Sequence, residues 1–226
     1  MLILAVDTTS STGSTALLKG KKLLSEIDID SPITHSERLL PTIQFILRTN
    51  KLKIKDIDAF AVAVGPGSFT GIRIGLSMIK SFSFASGKPV VPISTLEAFA
   101  FKLIRDRNRL LCPVLDAKKG EIYAALFKSE GNKLLEIVPQ GVYVPDRFFS
   151  SLPSRRVITF IGSGVDVYRD RILKYFKDEA KFSKHSLFIA SEVGSLGYEQ
   201  LIKNKGKDFR EIKPLYFRKS QAEENH

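Results

Sequence analysis

A weak internal repeat limits the folds that this sequence can adopt more than any other feature. One apolar run ends at Asp7 and a second ends at Asp116, and the same 109-residue offset separates Ala16 from Ala125 (116 − 7 and 125 − 16). In each copy an apolar stretch is followed by a polar turn, which begins at the aspartate, and then by a second apolar stretch. This order predicts a β-hairpin at the start of each half of the chain.

A second pair of segments extends the repeat. Residues 60–64 and residues 157–161 are largely apolar five-residue runs, and each continues into a Gly-x-Gly sequence. Runs of this kind are typical of strands buried on both faces of a sheet with parallel neighbours. Two halves that each contain a hairpin and such a strand predict an α/β fold. We expect two ribonuclease-H-like subdomains in the actin, Hsp70 and sugar-kinase (ASKHA) arrangement.

Helix signals lie between and after these strands. Thr34 and Ser94 are each followed three residues later by a glutamate, which is the spacing of a capping box at a helix start. A third helix is predicted over residues 191–205. We place the boundary between the halves near Asn108. The expected organisation is an N-terminal subdomain over residues 1–108, a C-terminal subdomain over 109–213, and an extended tail over 214–226 that packs on the N-terminal half.

The most distinctive motif is a glycine-rich run over residues 64–75. In a helix that begins near residue 69, two of its glycines share one face, and each costs about 1 kcal/mol relative to alanine. Three explanations are open: a nucleotide-binding loop, packing within the chain, and a helix-packing surface between subunits. We favour the third, because the helix is apolar almost all round and a second apolar face needs a partner. The motif residues are Gly65, Pro66, Gly67, Gly71 and Gly75.

Composition limits the classes of function. A hydrophobic content of 43% and a charged content of 26% are ordinary for a globular protein, and no apolar run approaches the roughly 20 residues that span a bilayer. No membrane partner is therefore expected. The single Cys112 and the lack of a signal-peptide pattern favour the cytoplasm. The formal charge of +11 indicates phosphate-rich or acidic partners, without locating a site for them.

Six segments, in order along nearly the whole chain, resemble the TsaB (YeaZ) family. They are residues 7–10, 35–41, 64–75, 93–98, 116–123 and 214–218. The glycine motif is the most specific of the six. The resemblance implies two ribonuclease-H-like subdomains, in agreement with the repeat.

The resemblance also implies a supporting role in tRNA modification. TsaB-type proteins bind a homologous catalytic subunit, TsaD. With the ATPase TsaE they support transfer of threonylcarbamoyl to the adenosine 3′ of the anticodon in tRNAs reading codons that begin with A. The expected partners are a TsaD-type subunit, a TsaE-type ATPase and, through the complex, tRNA. A homodimer is expected when the chain is alone.

The family resemblance places the partner surface on the first two helices of the N-terminal half. In this chain these are residues 35–50 and 69–86. We expect side chains of both helices to contact the partner, namely Leu39, Leu40, Ile43, Leu47, Arg73, Leu76, Ile79 and Phe82.

No complete catalytic or metal site can be assembled from the sequence. Catalytic relatives bind a metal through a His-x-x-x-His pair, but the fourth residue after His35 is Leu39. Neither a Gly-x-Ser-x-Gly elbow nor a P-loop is present. Asp7 and Asp116 stand where ASKHA proteins place carboxylates near a nucleotide, and we interpret them as vestigial. We expect no cofactor, apart from a nucleotide within the complex.

Two alternative functions stay open. One is an ASKHA-type ATPase or a metal-dependent, glycoprotease-like hydrolase that acts alone. The other is an RNA-binding module, which the basic charge favours as a supplement to the assembly role.

Overall fold

The computed structural model describes residues 1–104 and 109–218, which form two compact units. The first unit contains Met1–Ala98 and Phe188–Tyr216, and the second contains Phe99–Leu187 with residues 217 and 218. This division differs from the expected one. The last helix and the segment after it belong to the first unit rather than to a C-terminal subdomain over 109–213. The expected boundary at Asn108 lies outside the described residues.

The elements follow each other in a repeated order. The strands are β1 Leu2–Asp7, β2 Gly13–Lys19, β3 Lys22–Ile29, β4 Ala59–Ala63, β5 Val90–Ile93, β6 Leu110–Lys118, β7 Glu121–Glu130, β8 Lys133–Tyr143, β9 Ile158–Ile161 and β10 Ala180–Phe182. The helices are α1 His35–Thr49, α2 Phe69–Ser86, α3 Thr95–Lys102, α4 Pro145–Ser151, α5 Gly164–Phe176 and α6 Ala190–Leu201.

Each unit contains a five-stranded mixed sheet built on the same plan. The strand orders are β3-β2-β1-β4-β5 and β10-β9-β6-β7-β8. In the first sheet β1 and β2 form an antiparallel hairpin, and β4 runs parallel to β1. In the second sheet β6 and β7 form the hairpin, and β9 runs parallel to β6. The two predicted hairpins, the parallel central strands and the α/β class are therefore confirmed.

The sheet of the first unit is covered on both faces, because successive side chains of a strand point to opposite sides. Leu4 and Val6 of β1 belong to the core that the sheet shares with α1 and α2. Ala5 and Leu18 face the other way, toward α6, where a Cβ at Gly194 would come within 3.2 Å of Ala5 and overlap Leu18. The glycine lets α6 lie close to the sheet.

The core of the second unit lies between its sheet and the helices α4 and α5. It is rich in aromatic rings, including Phe148 and Phe149 of α4, Phe160 of β9 and Phe176 of α5. The rings of Phe160 and Phe176 lie 5.4 Å apart. Both units therefore have a hydrophobic core of their own.

Two details of the helix ends differ from the prediction. The structure does not form the capping box at Thr34, because the Thr34 hydroxyl pairs with the Ser36 hydroxyl at 2.9 Å instead. At the second predicted box, Ser94 Oγ accepts a hydrogen bond from the backbone N–H of Glu97 at 3.4 Å. The last helix ends at Leu201, before residue 205, since a turn follows it.

Candidate functional site

The glycine run connects β4 to α2 by a sharp turn. Gly65 has a φ of 112°, and a Cβ there would lie 2.7 Å from the carbonyl oxygen of Leu215. The backbone N–H of Leu215 donates to the carbonyl oxygen of Val64 at 2.8 Å. The tail thus lies against the motif, and only glycine suits the conformation and the space at residue 65.

The bare glycine edge of α2 packs on the turn that follows β1. A Cβ at Gly67 or Gly71 would overlap the carbonyl oxygens of Thr9 and Thr8, and one at Gly75 would overlap the Thr8 hydroxyl. The Thr8 hydroxyl donates to the carbonyl oxygen of Gly71 at 2.7 Å. Of the three explanations for the glycines, packing within the chain is the one that the structure supports. The intersubunit surface that we favour concerns the second apolar face of α2, which this edge does not include, and it stays a prediction.

The N-terminus of α2 is also satisfied from within the chain. The backbone N–H of Ser68 donates to the carbonyl oxygen of Thr9 at 2.7 Å, and Ser68 Oγ accepts from the N–H of Gly71 at 3.2 Å. In a phosphate-binding loop, the N–H groups at the start of the helix are free to bind a ligand. Here the turn after β1 occupies that position and accepts the hydrogen bond itself.

Asp7 is buried behind this turn. Its Oδ1 accepts hydrogen bonds from the backbone N–H and the hydroxyl of Thr9, at 2.9 and 2.7 Å. Burial raises the pKa of the Asp7 carboxyl, and the Thr9 hydrogen bonds and an electrostatic interaction with His35 offset only part of that rise. The Asp7 carboxyl group therefore stabilises, through Thr9, the turn on which the glycines pack.

His35 and Arg38 fasten the same turn from α1. His35 Nε2 lies 2.7 Å from the carbonyl oxygen of Ser10, so this nitrogen carries the proton and donates it. Arg38 donates to the carbonyl oxygens of Ser11 and Ser31, at 2.6 and 3.0 Å, and to His35 Nδ1 at 3.2 Å. The buried Arg38, which sequence reasoning missed, thus joins α1 to the turn after β1. A small cavity beside the two side chains is lined by Asp7, Thr15, Ile27 and Thr42, among others.

Asp116, the counterpart of Asp7 in the second unit, has a different environment. Partial burial alone would raise the pKa of its carboxyl, but hydrogen bonds from the side chain and backbone of Lys118 outweigh burial and lower that pKa. The Lys118 ammonium lies 2.7 Å from Asp116 Oδ2. Each predicted nucleotide-facing aspartate therefore has a structural partner close to it in sequence.

Five of the eight predicted interface side chains are core residues of the first unit. Leu39, Ile43, Leu47, Leu76 and Ile79 are at most 7% exposed and pack between α1, α2 and the sheet. The structure therefore places these five side chains in the core of the first unit, with little surface left for a partner.

The other three predicted interface residues lie at or near the surface. Leu40 is 38% exposed on α1. Arg73 is held by the tail, with its Nε donating to the Tyr216 hydroxyl at 3.1 Å. Phe82 is half-buried, and its ring lies 6.2 Å from that of Phe60.

The outer face of α1 and α2 carries apolar side chains that the sequence prediction missed. Phe45 of α1 is 52% exposed, and Ile74 and Met78 of α2 are half-buried. We call Leu40, Phe45, Ile74 and Met78 the outer helical face. Helical spacing could have identified Phe45, Ile74 and Met78 as it did Leu40, since each falls beside the buried stripe rather than within it.

Side-chain clusters that bind metal ions in proteins are built from His, Cys, Asp and Glu. No group of three or more His, Cys, Asp or Glu side chains among residues 1–104 and 109–218 is placed to hold a metal ion. Cys112 is fully buried, and burial raises the pKa of its thiol well above the usual value. No helix in this part of the chain is long and apolar enough to cross a membrane.

Comparisons with known proteins agree on a family. Residues 30–226 match the family model described as TsaD, tRNA N6-adenosine threonylcarbamoyltransferase. The tRNA threonylcarbamoyladenosine biosynthesis protein TsaB of Bacillus subtilis is 28% identical over 99% of this chain and 96% of its own length.

Two solved structures show the fold. YeaZ from Pseudomonas aeruginosa is 24% identical and superimposes with a TM-score of 0.82, covering 95% of this chain and 99% of that one. The ROK hexokinase from Thermus thermophilus is 12% identical, with a TM-score of 0.54 over 90% of this chain and all of that one. The second likeness relates the two units to the sugar-kinase (ASKHA) architecture.

Proposed function

We propose that this chain, which belongs to the TsaB (YeaZ) members of the TsaD family, is a non-catalytic assembly subunit in the biosynthesis of tRNA threonylcarbamoyladenosine. The observation that carries the proposal is the match of most of the chain to the TsaD model together with a full-length relative named TsaB. The named pathway modifies tRNA, so the basic character of this chain is consistent with a place in it.

The subunit acts by binding a TsaD-type catalytic homologue through the outer helical face. Leu40 and Phe45 are 38% and 52% exposed, although both are large apolar side chains. Each square ångström of such surface removed from water contributes roughly 25 cal/mol, so covering this face stabilises a complex. When no catalytic homologue is present, the same face pairs two copies of this chain.

Within the complex, the TsaD-type subunit performs the transfer and a TsaE-type ATPase supports it. The acceptor is the adenosine 3′ of the anticodon in tRNAs that read codons beginning with A. Two features of this chain support a non-catalytic role. The N–H groups that open α2 are occupied by the turn after β1, and Asp7 is engaged by Thr9. Any nucleotide is bound only within the complex, and the complex works in the cytoplasm.

The first experiment is nucleoside analysis of tRNA from cells depleted of this protein. Threonylcarbamoyladenosine should fall and should return when the wild-type chain is supplied. A Leu40→Glu chain, with a charge on the outer helical face, should fail to restore it although the protein accumulates normally. Unchanged nucleoside in depleted cells that hold no second copy of the gene would overturn the proposal.

A second experiment separates an assembly subunit from an enzyme that acts alone. The purified chain is incubated with tRNA and threonylcarbamoyl adenylate, with and without the catalytic homologue. We expect transfer only when both proteins are present. Transfer by this chain alone, or steady ATP hydrolysis by it, would instead favour the ASKHA-type enzyme.

A further inference from the structure

A pair of phenylalanines at the C-terminal end of α2 forms an exposed aromatic surface. Phe84 is 74% exposed, although it is a large apolar side chain. Its ring lies 5.5 Å from that of Phe209, at 69° in an edge-to-face arrangement. Phe209 also packs against the core of the first unit, so it anchors the pair. Most of the Phe84 ring is therefore open to solvent, next to a ring that is anchored on the core.

Four lysines lie close in sequence to this aromatic pair, with Lys88 after Phe84 and the other three in the segment between α6 and Phe209. Val90 of β5 and Lys207 exchange two backbone hydrogen bonds of 2.9 Å, which add this segment to the edge of the sheet. A Cβ at Gly206 would lie 3.0 Å from Pro89, so the segment also lies close to the turn after α2. We call Phe84, Phe209 and the nearby lysines the aromatic–lysine patch; the lysines are Lys88, Lys203, Lys205 and Lys207.

The charge of the patch is positive and mostly unpaired. Residues 203–213 contain five lysines and arginines but two carboxylates, Asp208 and Glu211. Hydrogen bonds from Arg210, at 2.8 and 3.0 Å, hold both oxygens of Asp208 and lower the pKa of its carboxyl to about 2. Among the described residues, the four lysines of the patch form no ion pair. The carboxylate is thus neutralised by an arginine, and the lysines are left to attract an anion.

We propose that the aromatic–lysine patch binds single-stranded RNA, with a base stacked on Phe84 and neighbouring phosphates held by the lysines. Unpaired bases stack on exposed aromatic rings, while lysines follow the backbone, and this combination tolerates any base sequence. The inference rests on the proposed function in one respect, since it takes the RNA to be an unpaired segment of the tRNA that the complex modifies. An acidic protein is the competing ligand, and the experiments separate the two.

The first test measures how much the Phe84 ring contributes to RNA affinity. Fluorescence anisotropy of a labelled, unstructured oligouridylate is followed as the full-length chain is added. Stacking is worth about 1–3 kcal/mol per base, so Phe84→Leu should weaken binding by roughly 5-fold to 150-fold. Phe84→Trp should restore it. Leucine keeps an exposed apolar side chain but has no ring face, so equal affinity for Phe84→Leu and wild type would overturn the proposal.

The second test measures how much the lysines of the patch contribute to the salt dependence of RNA binding. The affinity for oligouridylate is measured at several salt concentrations. In the chain with Lys203, Lys205 and Lys207 all changed to Gln, the slope of log affinity against log salt concentration should be smaller by about 2, because each lost phosphate contact removes roughly 0.7 from it. The control changes three exposed lysines of the second unit, Lys133, Lys181 and Lys184, to Gln, with the same loss of charge. If both sets of substitutions weakened RNA binding equally, the RNA would be attracted by the overall positive charge rather than by the patch, and the proposed site would be overturned. So would displacement of the RNA by a polyglutamate peptide at lower concentration than by unlabelled oligouridylate.

The third measurement separates this inference from the proposed function. Phe84→Leu should co-purify with the catalytic homologue as the wild type does, because Phe84 is not part of the outer helical face. If the wild-type chain binds oligouridylate through Phe84 but does not bind the catalytic homologue, the proposed function fails and the RNA site stands. If it binds the homologue and Phe84→Leu leaves RNA affinity unchanged, the RNA site fails alone.

Discussion

At the scale of single residues, the contact between Gly71 and Thr8 limits how closely α2 can approach the turn after β1. Alanine favours a helix by about 1 kcal/mol over glycine, so propensity alone predicts that Gly71→Ala stabilises the protein. The structure predicts the opposite sign, because the added Cβ would overlap the Thr8 carbonyl oxygen. We expect a net loss of about 1–3 kcal/mol in the free energy of unfolding, measured with denaturant.

Ser81→Ala is the control for this prediction. Ser81 lies on the exposed side of the same helix, and among the described residues its hydroxyl bonds only to the Ser77 carbonyl oxygen, at 2.8 Å. That variant should be as stable as the wild type or slightly more stable. A stabilised Gly71→Ala protein would show that α2 can move away from the turn without cost.

A second residue-scale prediction concerns the buried carboxyl of Asp7. A group whose pKa is raised in the folded protein binds its proton more tightly when folded, so ionisation lowers stability. Above pH 3.8, its usual pKa, wild type should become progressively less stable than Asp7→Asn until the pH passes the raised folded pKa. The difference should be constant at higher pH. Denaturant midpoints measured from pH 4 to pH 8 give the comparison.

Asp116→Asn provides a control of opposite sign. The pKa of Asp116 is lowered by Lys118, so its contribution to stability is present above pH 3.8 and is lost as the pH falls through the lowered value. This variant should therefore be less stable than wild type at neutral pH. If Asp7→Asn behaved in the same way, His35 would have to stabilise an ionised Asp7 more than burial destabilises it.

The two aspartates also show what sequence can establish at this scale. Their equal positions in the repeat predicted that a hairpin turn begins at each aspartate. The first turn does follow Asp7, where β1 ends, but β6 continues through Asp116 to Lys118, so the second turn begins two residues later than predicted. The sequence did not distinguish their chemistry. Burial of Asp7 depends on α1 and on the glycine edge of α2, which are distant in the chain, whereas Lys118 is only two residues after Asp116. Only the second environment is local enough to be seen in a sequence.

At the scale of elements, the bounds of α2 were predictable but its surroundings were not. The range of residues 69–86, which the family resemblance implied, is the range observed, and the glycine motif by itself indicated the start near residue 69. Periodicity shows that a helix has an apolar stripe without showing what covers it. Ile79 was therefore expected to meet a partner, although the sheet covers it completely. In the same way, the small residues Gly194 and Gly197 of α6 fit against the first sheet, a long-range contact that sequence order concealed.

A pair of charge substitutions tests the corrected view of these helices. Ile79→Glu places a carboxylate in a fully buried position and should cost about 4 kcal/mol or more, which is enough to unfold many domains. Leu40→Glu should change stability by about 1 kcal/mol or less, since Leu40 is 38% exposed. Only Leu40→Glu should remain folded and yet fail to elute with the catalytic homologue in size-exclusion chromatography. A folded Ile79→Glu protein would mean that α2 turns this side chain outward.

At the scale of the whole molecule, the chain makes its first unit from two separated segments. The sheet is complete by residue 93, but one face of it is covered by α6, which begins at Ala190. Ser14 Oγ accepts from the backbone N–H of Ala190 at 3.0 Å, and Glu26 accepts from that of Ser191 at the same distance. The second unit, by contrast, is nearly continuous over Phe99–Leu187. The first unit therefore depends on chain that is far away in sequence.

This dependence leads to a prediction for a chain that ends at Leu187. Without α6, the sheet face that contains Ala5, Leu18 and Ala61 would be exposed to water, and the first unit should lose cooperative folding. Hydrogen exchange should show the amides of β1 and β4 close to unprotected, while those of β6 and β9 stay protected because their core is intact. A chain that ends at Arg218 keeps α6 and the tail, and should protect both sheets. Protection of β1 in the shorter chain would show that α1 and α2 alone suffice to hold the first sheet, and that α6 is an addition to the unit rather than part of its fold.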